Sequence, residues 1–218
     1  MGGYDYDIFE RCEFTVLTDE LASLPFFCGE DEGERDLEDF FHNEAMLFAK
    51  QRLGKTYCFI DNSGEETKIV AFFTVSNDSV KTTFIPRSSK NKVQRTIPGQ
   101  KHLRTYPAVL LGRLGVAKEF QGKEFFVGQQ VINYLKSWFI EDDNKTGCRF
   151  LVVDAYNKER VLKFYERNKF KYLYADESQE REEQHVAEDT VRLYTRHMFL
   201  DLLNTQILDK PNIDQTLL

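Results

Sequence analysis

The feature that most constrains the fold is a nearly unbroken apolar run, YPAVLLGRLGV, at Tyr106–Val116. A strand of this composition is typical of a position where both faces of a sheet are covered. A glycine-bearing loop follows, and then Val127–Phe139, whose apolar residues fall on one helical stripe. A second buried strand, Arg149–Asp154, comes next. The sequence therefore predicts a parallel β-α-β crossover at the centre of the fold.

The flanking segments add antiparallel strands to this centre. Thr56–Ile60 and Lys68–Val75 are rich in β-branched and aromatic residues, and the turn-forming residues at Asp61–Gly64 join them into an expected hairpin. Periodicity predicts further strands at Ile8–Leu17, Lys169–Tyr174 and Thr190–Leu200, and helices at Leu37–Leu53 and Lys158–Asn168. The predicted fold class is α/β (α+β), with a mixed central sheet flanked by helices.

Composition sets the broad class of protein. With 218 residues, 41% hydrophobic and 30% charged, the chain fits a single domain, expected at residues 1–203 with a tail at 204–218. No run approaches the roughly 18 apolar residues of a membrane span, and no secretory signal is evident, so we expect a cytoplasmic protein without a membrane partner. The cysteines are widely spaced, which predicts reduced thiols and neither a disulfide framework nor a metal site; they are Cys12, Cys28, Cys58 and Cys148.

Charge is distributed unevenly along the chain. The net charge of −7 argues against a protein that coats nucleic acid over its whole surface. The segment Lys81–Lys123 nevertheless holds ten basic residues and one acidic residue, whereas acidic residues concentrate at Glu30–Asp39 and Asp176–Asp189. Such runs are commonly solvated surfaces or loops. The alternative is that the basic segment binds an anionic partner, or that the oppositely charged blocks support a homodimer.

The loop after the apolar strand carries a candidate binding motif. Gln121-Gly122-Lys123 and Gly128 stand at this strand-to-helix turn. Glycine lets a backbone approach a ligand closely, and the first N–H groups of a helix can bind phosphate. An ordinary β-α turn can also use glycine, so the spacing alone leaves both interpretations open.

This segment resembles the acyl-CoA pyrophosphate loop of the GNAT superfamily of N-acetyltransferases, whose pattern is Gln or Arg, x, x, Gly, x, Gly or Ala. Gln121 and Gly122 match the start of the pattern, and Gly128 matches its last glycine. Glu124 and Phe126 stand where the pattern has glycine, and about two additional residues separate the two ends of the motif.

A second element, DAYNKERVLKFYERNKFKYL, resembles the closing strand and helix of the GNAT fold. In that family an Asn heads the helix near the CoA arm, and an aromatic-Tyr pair precedes the turn into a bulged strand. Asn157, Phe164 and Tyr165 occupy these places. The pattern alone favours an ordinary aromatic pair in the core, whereas the resemblance favours a functional pair.

The resemblance implies a GNAT fold with a splayed strand pair, and acetyl-CoA as cosubstrate. Tyr165 is the implied catalytic acid, because a phenol with a pKa near 10 stays protonated and can give a proton to the departing thiolate. Main-chain groups at the end of the apolar strand are implied to hold the pantetheine arm and the acetyl carbonyl. The full set of implied cofactor-binding residues is Leu114, Gly115, Val116, Gln121, Gly122, Lys123, Val127, Gly128, Asn157 and Phe164.

Three further segments resemble toxin-type GNATs of type II toxin-antitoxin systems, which acetylate the α-amine of aminoacyl-tRNA. They are Pro25–Ile60 with its Phe26-Phe27-Cys28-Gly29 element, Ile69–Val80, and Val93–Val116 with Leu111-Gly112-Arg113-Leu114. The resemblance implies aminoacyl-tRNA and an antitoxin as partners. Four basic residues become candidates to bind tRNA phosphates, or instead the CoA 3′-phosphate or a dimer partner: Lys92, Arg95, Lys101 and Arg104.

The chemistry of the acceptor also favours an α-amine. A lysine amine with a pKa of about 10.4 is neutral in about one molecule in a thousand at pH 7, whereas an α-amine near 7.7–8.0 is about a tenth neutral. No general base is evident on Tyr106–Val116, which contains no Asp, Glu or His. Three functions stay open: an aminoacyl-tRNA acetyltransferase, an acetyltransferase of a small-molecule, peptide or protein amine, and a non-catalytic CoA-binding or interaction protein.

Overall fold

The computed structural model describes residues 5–81, 83–84, 87, 91, 105–122, 124–142, 144, 147–186 and 192–204. Its strands are β1 (Glu13–Val16), β2 (Lys55–Asp61), β3 (Lys68–Lys81), β4 (Thr105–Val116), β5 (Phe150–Tyr156), β6 (Lys171–Tyr172) and β7 (Thr195–Asp201). They form one mixed sheet with the strand order β1-β2-β3-β4-β5-β7-β6. The predicted α/β class with a mixed sheet is confirmed.

The helices are α1 (Ile8–Arg11), α2 (Asp19–Ala22), α3 (Glu32–Asp39), α4 (Ala45–Lys50), α5 (Val127–Ile140), α6 (Glu159–Arg167) and α7 (Glu177–Glu183). A π-helical segment, Phe40–Glu44, lies between α3 and α4, and 3-10 turns lie at Lys118–Phe120 and Leu202–Asn204. None of the helices in the described ranges has the length and apolar character needed to cross a membrane.

The chain divides into two compact units. The first contains Met1–Ser76, Leu111–Glu141 and Gln206–Leu218, and the second contains Asn77–Leu110 and Asp142–Thr205. The long strands β3 and β4 therefore each contribute residues to both units.

Aromatic side chains form much of the core of the first unit. The Phe14 ring stacks on Tyr57 with centroids 5.4 Å apart and meets the ring of Tyr134 on α5 at 4.7 Å. Trp138, one turn further along α5, meets Tyr57 edge-on at 4.9 Å. Such pairs add about 0.5–1.5 kcal/mol each beyond the burial of their area. The apolar stripe predicted on this helix is therefore the face that packs on the antiparallel strands β1 and β2.

The core of the second unit lies on one face of its strands. Its buried residues are Val80, Tyr106, Ala108, Phe150, Val152, Leu173, Tyr174 and Phe199. β5 pairs with β7 antiparallel over its whole length, with Phe150 opposite Asp201 and Tyr156 opposite Thr195. An ion pair between Arg149 Nε and Asp201 Oδ1, 2.9 Å apart and largely buried, closes one end of this pairing.

Two predicted elements in the first unit differ from the structure. The strand predicted at Ile8–Leu17 is wrong at its start, because α1 forms there and only β1 is extended. The Asp7 side chain caps α1 by accepting a hydrogen bond from the Phe9 N–H at 2.9 Å, an alternative to strand pairing that Asp readily offers. The helix predicted at Leu37–Leu53 instead begins at Glu32, where Asp31 and Glu34 form a capping box, and it contains the π-helical segment.

Two predicted strands in the second unit are shorter than expected. The strand predicted at Lys169–Tyr174 reduces to β6, since Lys169 has a left-handed φ of 74° that turns the chain out of helix α6. The described part of the strand predicted at Thr190–Leu200 begins at Thr195. The apolar strand, the helices that follow β4 and β5, and the first strand of the predicted hairpin are present within two residues of their predicted limits in the described ranges. The second strand of the hairpin begins at Lys68 as predicted but continues six residues past its predicted end at Val75, to Lys81.

Candidate active site

Gly115 marks a close approach at the end of β4. A Cβ atom at this position would lie 2.4 Å from Phe72 Cε1 and 3.1 Å from Phe26 Cζ. Only glycine therefore fits without movement of the backbone or of these two rings. The predicted site residues Leu114 and Val116, on either side of this contact, are both partly exposed.

The side-chain amide of Gln121 holds the end of β4 against an earlier segment. Its Nε2 donates to the Val116 carbonyl oxygen at 2.8 Å and to the Cys28 carbonyl oxygen at 2.6 Å. The Lys118 N–H donates to the Phe27 carbonyl oxygen at 2.8 Å in the same region. The structure thus brings together the start of the glycine-bearing motif and the Phe-Cys-Gly element that the sequence singles out. Within the described residues, the Gln121 amide group donates to main-chain carbonyl oxygens, so this side chain fixes the position of the backbone.

The loop before α5 contains two left-handed residues. Gly122 has a φ of +132°, and Phe126, the N-cap of α5, has φ 51° and ψ 25°. The family pattern expects glycine near Phe126, and the backbone there adopts a conformation that glycine favours. The Phe126 N–H donates to the Gly122 carbonyl oxygen at 3.2 Å, which closes the loop. The Glu124 carboxylate folds back over Gly122, and Lys123 lies outside the described residues.

The first turn of α5 offers conditions that suit an anion. Val127 and Gly128 are its first residues, and the side chain of Val127 is buried. The N–H groups of the next two residues already donate to the Phe126 carbonyl oxygen. The first turn carries no acidic side chain, so the partial positive charge of the helix N-terminus is not offset within the helix itself.

Gln130 is a positioning residue that the sequence analysis does not single out. Its side chain is fully buried, its Nε2 donates to the carbonyl oxygens of Phe125 at 2.8 Å and Tyr6 at 2.7 Å, and its Oε1 accepts from the Ile8 N–H at 3.0 Å. One side chain therefore ties the loop before α5 to the N-terminal segment. A polar residue on the otherwise apolar stripe of a predicted helix is the signal that identifies such a role.

Asn157 lies between β5 and α6 in the second unit. Its Nδ2 donates to the Leu193 carbonyl oxygen at 2.8 Å, its Oδ1 accepts from Arg192 Nη2 at 3.1 Å, and its main-chain N–H donates to the Tyr194 carbonyl oxygen at 2.9 Å. These bonds fix the start of α6 to the segment before β7. The predicted contact of Asn157 with CoA stays a prediction.

Tyr165 lies on the buried side of α6. Its ring meets Phe164 at 5.1 Å and Phe170 at 5.2 Å, both edge-on, and 6% of the residue is exposed. Burial raises the pKa of the phenol above its ordinary value of 10. The hydroxyl therefore carries its proton at any physiological pH, as a proton donor must.

A charged network in the second unit was not predicted. His197 on β7 places Nε2 2.9 Å from Asp154 Oδ1 on β5 and Nδ1 3.1 Å from Glu180 Oε1 on α7. Burial lowers the pKa of His197, but the hydrogen bonds to the two carboxylates outweigh it and raise the pKa to about 9. His197 is therefore an imidazolium at neutral pH.

Glu180 anchors this network from a fully buried position. Its carboxylate accepts from Arg196 Nε at 2.6 Å, from the His197 N–H at 2.5 Å and from Gln184 Nε2 at 3.3 Å. Burial alone would raise the pKa of Glu180, but the bonds from His197 and Arg196 lower it below its ordinary value. The sequence shows Glu180 only as one member of an acidic block, which predicts a solvated surface.

The four predicted substrate-binding residues, Lys92, Arg95, Lys101 and Arg104, lie outside the described residues. Their role stays a prediction. Among the residues that are described, no group of three or more His, Cys, Asp or Glu side chains could hold a metal ion.

Comparison with known proteins places this geometry in a known fold. No protein-family model matches the chain, and no curated protein sequence matches it. Solved structures do match. A tyrosine-to-phenylalanine mutant of KacT superposes with a TM-score of 0.63 at 18% identity, covering 88% of this chain and 96% of that one. The chain has the fold of KacT and AtaT.

Two AtaT structures extend the match. AtaT complexed with acetyl-methionyl-tRNAfMet gives a TM-score of 0.58 at 21% identity and covers 87% of this chain and 94% of that one. A tyrosine-to-phenylalanine mutant of the AtaT toxin, bound to the C-terminus of the antitoxin AtaR and acetyl-CoA, gives 0.55 at 16% identity, with coverage of 88% and 94%. These likenesses support the predicted mixed α/β fold, which the chain shares with KacT and AtaT.

Proposed function

We propose that the protein is an N-acetyltransferase that moves an acetyl group from acetyl-CoA to a primary amine, with the α-amine of aminoacyl-tRNA as its acceptor. The observation that carries the proposal is the fold shared, over 87% or more of the chain, with AtaT, which was solved in one structure with acetyl-methionyl-tRNAfMet and in another, as a mutant, with acetyl-CoA. By the same likeness we propose an antitoxin as a protein partner and the cytoplasm as the location.

The residues of the first unit fit a pantetheine and pyrophosphate ligand. Gly122 and Phe126 shape a loop that leads into a helix N-terminus, where main-chain N–H groups favour phosphate. Gln121 fixes the end of β4, whose main chain we propose holds the acetyl carbonyl. Bound acetyl-CoA supplies the thioester. The proposed binding residues are Leu114, Gly115, Val116, Gln121, Gly122, Lys123, Val127 and Gly128, together with Asn157 and Phe164 of the second unit.

We assign Tyr165 as the proton donor. As the amine nitrogen forms its bond to the acetyl carbon, the carbon-sulfur bond breaks and its electron pair leaves with sulfur, which takes the phenolic proton. The nitrogen releases one N–H proton to water, and the phenolate regains a proton from water. Burial keeps the phenol protonated but also makes the phenolate costly, so the transfer requires close positioning of the sulfur. Both KacT and AtaT have been solved with a tyrosine-to-phenylalanine replacement, the same kind of change that tests this assignment.

The acceptor assignment rests on charge as well as on fold. The α-amine is a weaker base than a lysine amine, and a larger fraction is neutral at physiological pH. We propose that Lys92, Arg95, Lys101 and Arg104 contact tRNA phosphates, so transfer to tRNA should weaken steeply as salt rises.

One experiment separates the candidate functions. The protein is incubated with labelled acetyl-CoA and charged bulk tRNA, beside uncharged tRNA, polyamines and peptides, while its Tm is measured with and without acetyl-CoA. We expect a higher Tm and label in charged tRNA alone. Label found only in small amines or peptides would show that the acceptor is one of these and not aminoacyl-tRNA. A higher Tm without acetyl transfer would indicate a non-catalytic CoA-binding protein. No change in Tm would contradict the proposal that the protein binds acetyl-CoA.

A further inference from the structure

The N-terminal segment of the first unit packs against the loop that precedes α5. Tyr6 is buried, at 6% exposure, and its ring centroid lies 5.0 Å from that of Phe120 and 6.2 Å from that of Phe125. The Tyr6 carbonyl oxygen accepts a hydrogen bond from Gln130 Nε2, which also donates to the Phe125 carbonyl oxygen. All of these residues belong to the first unit. Tyr6 therefore contacts the glycine-bearing loop through its ring and, by way of Gln130, through its main chain.

The hydroxyl group of Tyr6 is anchored at the end of β2. It donates to Asp61 Oδ2 at 2.6 Å and lies 3.5 Å from Cys12 Sγ. Burial alone would raise the pKa of the Asp61 carboxyl, but hydrogen bonds from Ser63 and Tyr6 lower it below its ordinary value. Asp61 is therefore a carboxylate at neutral pH, and a hydrogen bond to an ionised acceptor is about twice as strong as one between neutral groups. This bond fixes the direction of the Tyr6 ring.

The loop that Tyr6 contacts has a strained backbone. Phe126 adopts a left-handed conformation, with φ 51° and ψ 25°, and Gly122 has a φ of +132°. A bulky residue keeps such a conformation only where the surrounding structure imposes it. The ring of Phe125, one residue before Phe126, packs on Tyr6, and its carbonyl oxygen accepts from Gln130. The loop therefore depends on contacts from outside itself, and Tyr6 supplies one of them.

We propose that Tyr6 is a positioning residue for the pyrophosphate of acetyl-CoA. The inference rests on the proposed function, in which the loop Gly122–Phe126 and the N-terminus of α5 bind that group. The bond to Asp61 fixes the Tyr6 ring against Phe125, and this contact keeps the loop in the conformation that accommodates the pyrophosphate. Tyr6 acts through the loop and not on the reacting atoms, so its loss weakens cofactor binding and leaves the chemical step unchanged.

A purely structural role for Tyr6 makes a different prediction. If Tyr6 only filled the core, its replacement would lower stability and would affect every ligand alike. A positioning role affects only those ligands that carry the pyrophosphate. S-acetylpantetheine separates the two roles, because it keeps the thioester and the pantetheine arm of acetyl-CoA but lacks the pyrophosphate and the nucleotide.

Two replacements of Tyr6 test the proposal. Tyr6→Phe keeps the ring contacts and removes the bond to Asp61, whereas Tyr6→Leu removes the ring as well. We expect the Kd for acetyl-CoA, measured by isothermal titration, to rise about threefold in Tyr6→Phe and about tenfold or more in Tyr6→Leu. The kcat with charged bulk tRNA at saturating acetyl-CoA should stay within about twofold of the parent, as should kcat/KM for S-acetylpantetheine as the acetyl donor.

Tyr57 provides the matched controls. It is another tyrosine of the first unit with 6% exposure, and its ring packs on Phe14 and Trp138. Tyr57→Leu should lower Tm as Tyr6→Leu does, because both changes remove a buried ring, but it should leave the Kd for acetyl-CoA within about twofold of the parent. Tyr57→Phe is the corresponding control for Tyr6→Phe. A Kd that rises equally at the two positions would reduce the role of Tyr6 to stability and overturn the proposal.

Hydrogen exchange of the unliganded protein tests the loop directly. The Phe126 N–H donates to the Gly122 carbonyl oxygen within the loop, so its exchange rate reports how often the loop opens. We expect this N–H to exchange about tenfold faster in Tyr6→Leu than in Tyr57→Leu. Equal rates in the two variants would show that the loop does not depend on Tyr6, and the proposal would be wrong.

The titrations also separate a failure of the inference from a failure of the proposed function. If the parent binds acetyl-CoA and Tyr6→Leu binds it equally well, Tyr6 does not position the pyrophosphate, and the proposed function stands. If the parent itself shows neither a heat of binding nor a rise in Tm with acetyl-CoA, the proposed function is contradicted, and the inference is wrong with it.

Discussion

At the scale of single residues, the clearest prediction concerns Tyr165. Tyr165→Phe removes one oxygen from a buried ring that packs between Phe164 and Phe170, so we expect the fold and the acetyl-CoA-induced rise in Tm to persist. Loss of the proton donor should lower kcat by about 100-fold or more. Single-turnover transfer to charged tRNA measures the effect. A Phe variant that matches the parent in rate would show that sulfur obtains its proton elsewhere.

Two glycines of β4 provide a second residue-scale test. At Gly115 an added Cβ would meet Phe72 at 2.4 Å, whereas at Gly112 it would meet only the Thr74 carbonyl oxygen at 3.9 Å. Gly115→Ala should therefore lower the free energy of unfolding by about 1–3 kcal/mol through overpacking. Gly112→Ala should change it by less than about 1 kcal/mol. Urea denaturation of the two variants makes the comparison, and equal effects would contradict the packing explanation.

At the scale of elements, Gln130 links α5 and the loop before it to the N-terminal segment. Gln130→Ala leaves the Ile8 N–H and two carbonyl oxygens without their partner, which should cost about 3 kcal/mol or more of stability. The loop should also lose its fixed shape, so the Kd for acetyl-CoA should rise about tenfold. Isothermal titration measures Kd, with Gln129→Ala as the exposed neighbour control. A rise in Kd of the same size in both variants would show that Gln130 has no special role in the loop.

The elements that the sequence predicts well are those whose pattern is local. The sequence alone predicts β4 and α5. A strand buried on both faces is a continuous apolar run, whereas a helix buried on one face has apolar residues at a period of 3.6. The network of Asp154, Glu180 and His197 could not be predicted in this way. Glu180 and His197 meet only because α7 packs beside β7, and no local signal separates a buried Glu from the exposed acids around it. The left-handed conformation of Phe126 could not be predicted either, because the sequence has a bulky residue at a position where the backbone adopts a conformation that glycine favours.

At the scale of the whole molecule, the fold is retained at 16–21% identity to the proteins that share it. At such low sequence identity, a shared fold says nothing about individual polar contacts. The consequences of the Glu180–His197–Asp154 network are therefore derived from its own distances and charges. Such a network affects stability, because its protonation state differs between the folded and the unfolded chain.

The network predicts how stability changes with pH. The pKa of His197 is raised from 6.5 to about 9 on folding, so its contribution is complete below about pH 6.5 and is lost as the pH rises through 9. This difference in the pKa of His197 corresponds to at most about 3 kcal/mol of folding stability. Solvent screening of the partly exposed pair with Asp154 reduces that contribution. The pKa of Glu180 moves the opposite way, so its contribution is lost only as the pH falls below its ordinary range.

Urea denaturation at about pH 6 and about pH 10 tests this expectation. The parent should lose stability between the two pH values, and His197→Gln, which has no group to titrate at this position, should lose about 1–3 kcal/mol less. His185→Gln is the matched control, because His185 lies two residues beyond the end of α7 and takes no part in the ion pairs of His197. This variant should lose as much stability as the parent does. If the parent and His197→Gln lose equal stability over this range, His197 is not held as an imidazolium between the carboxylates of Asp154 and Glu180.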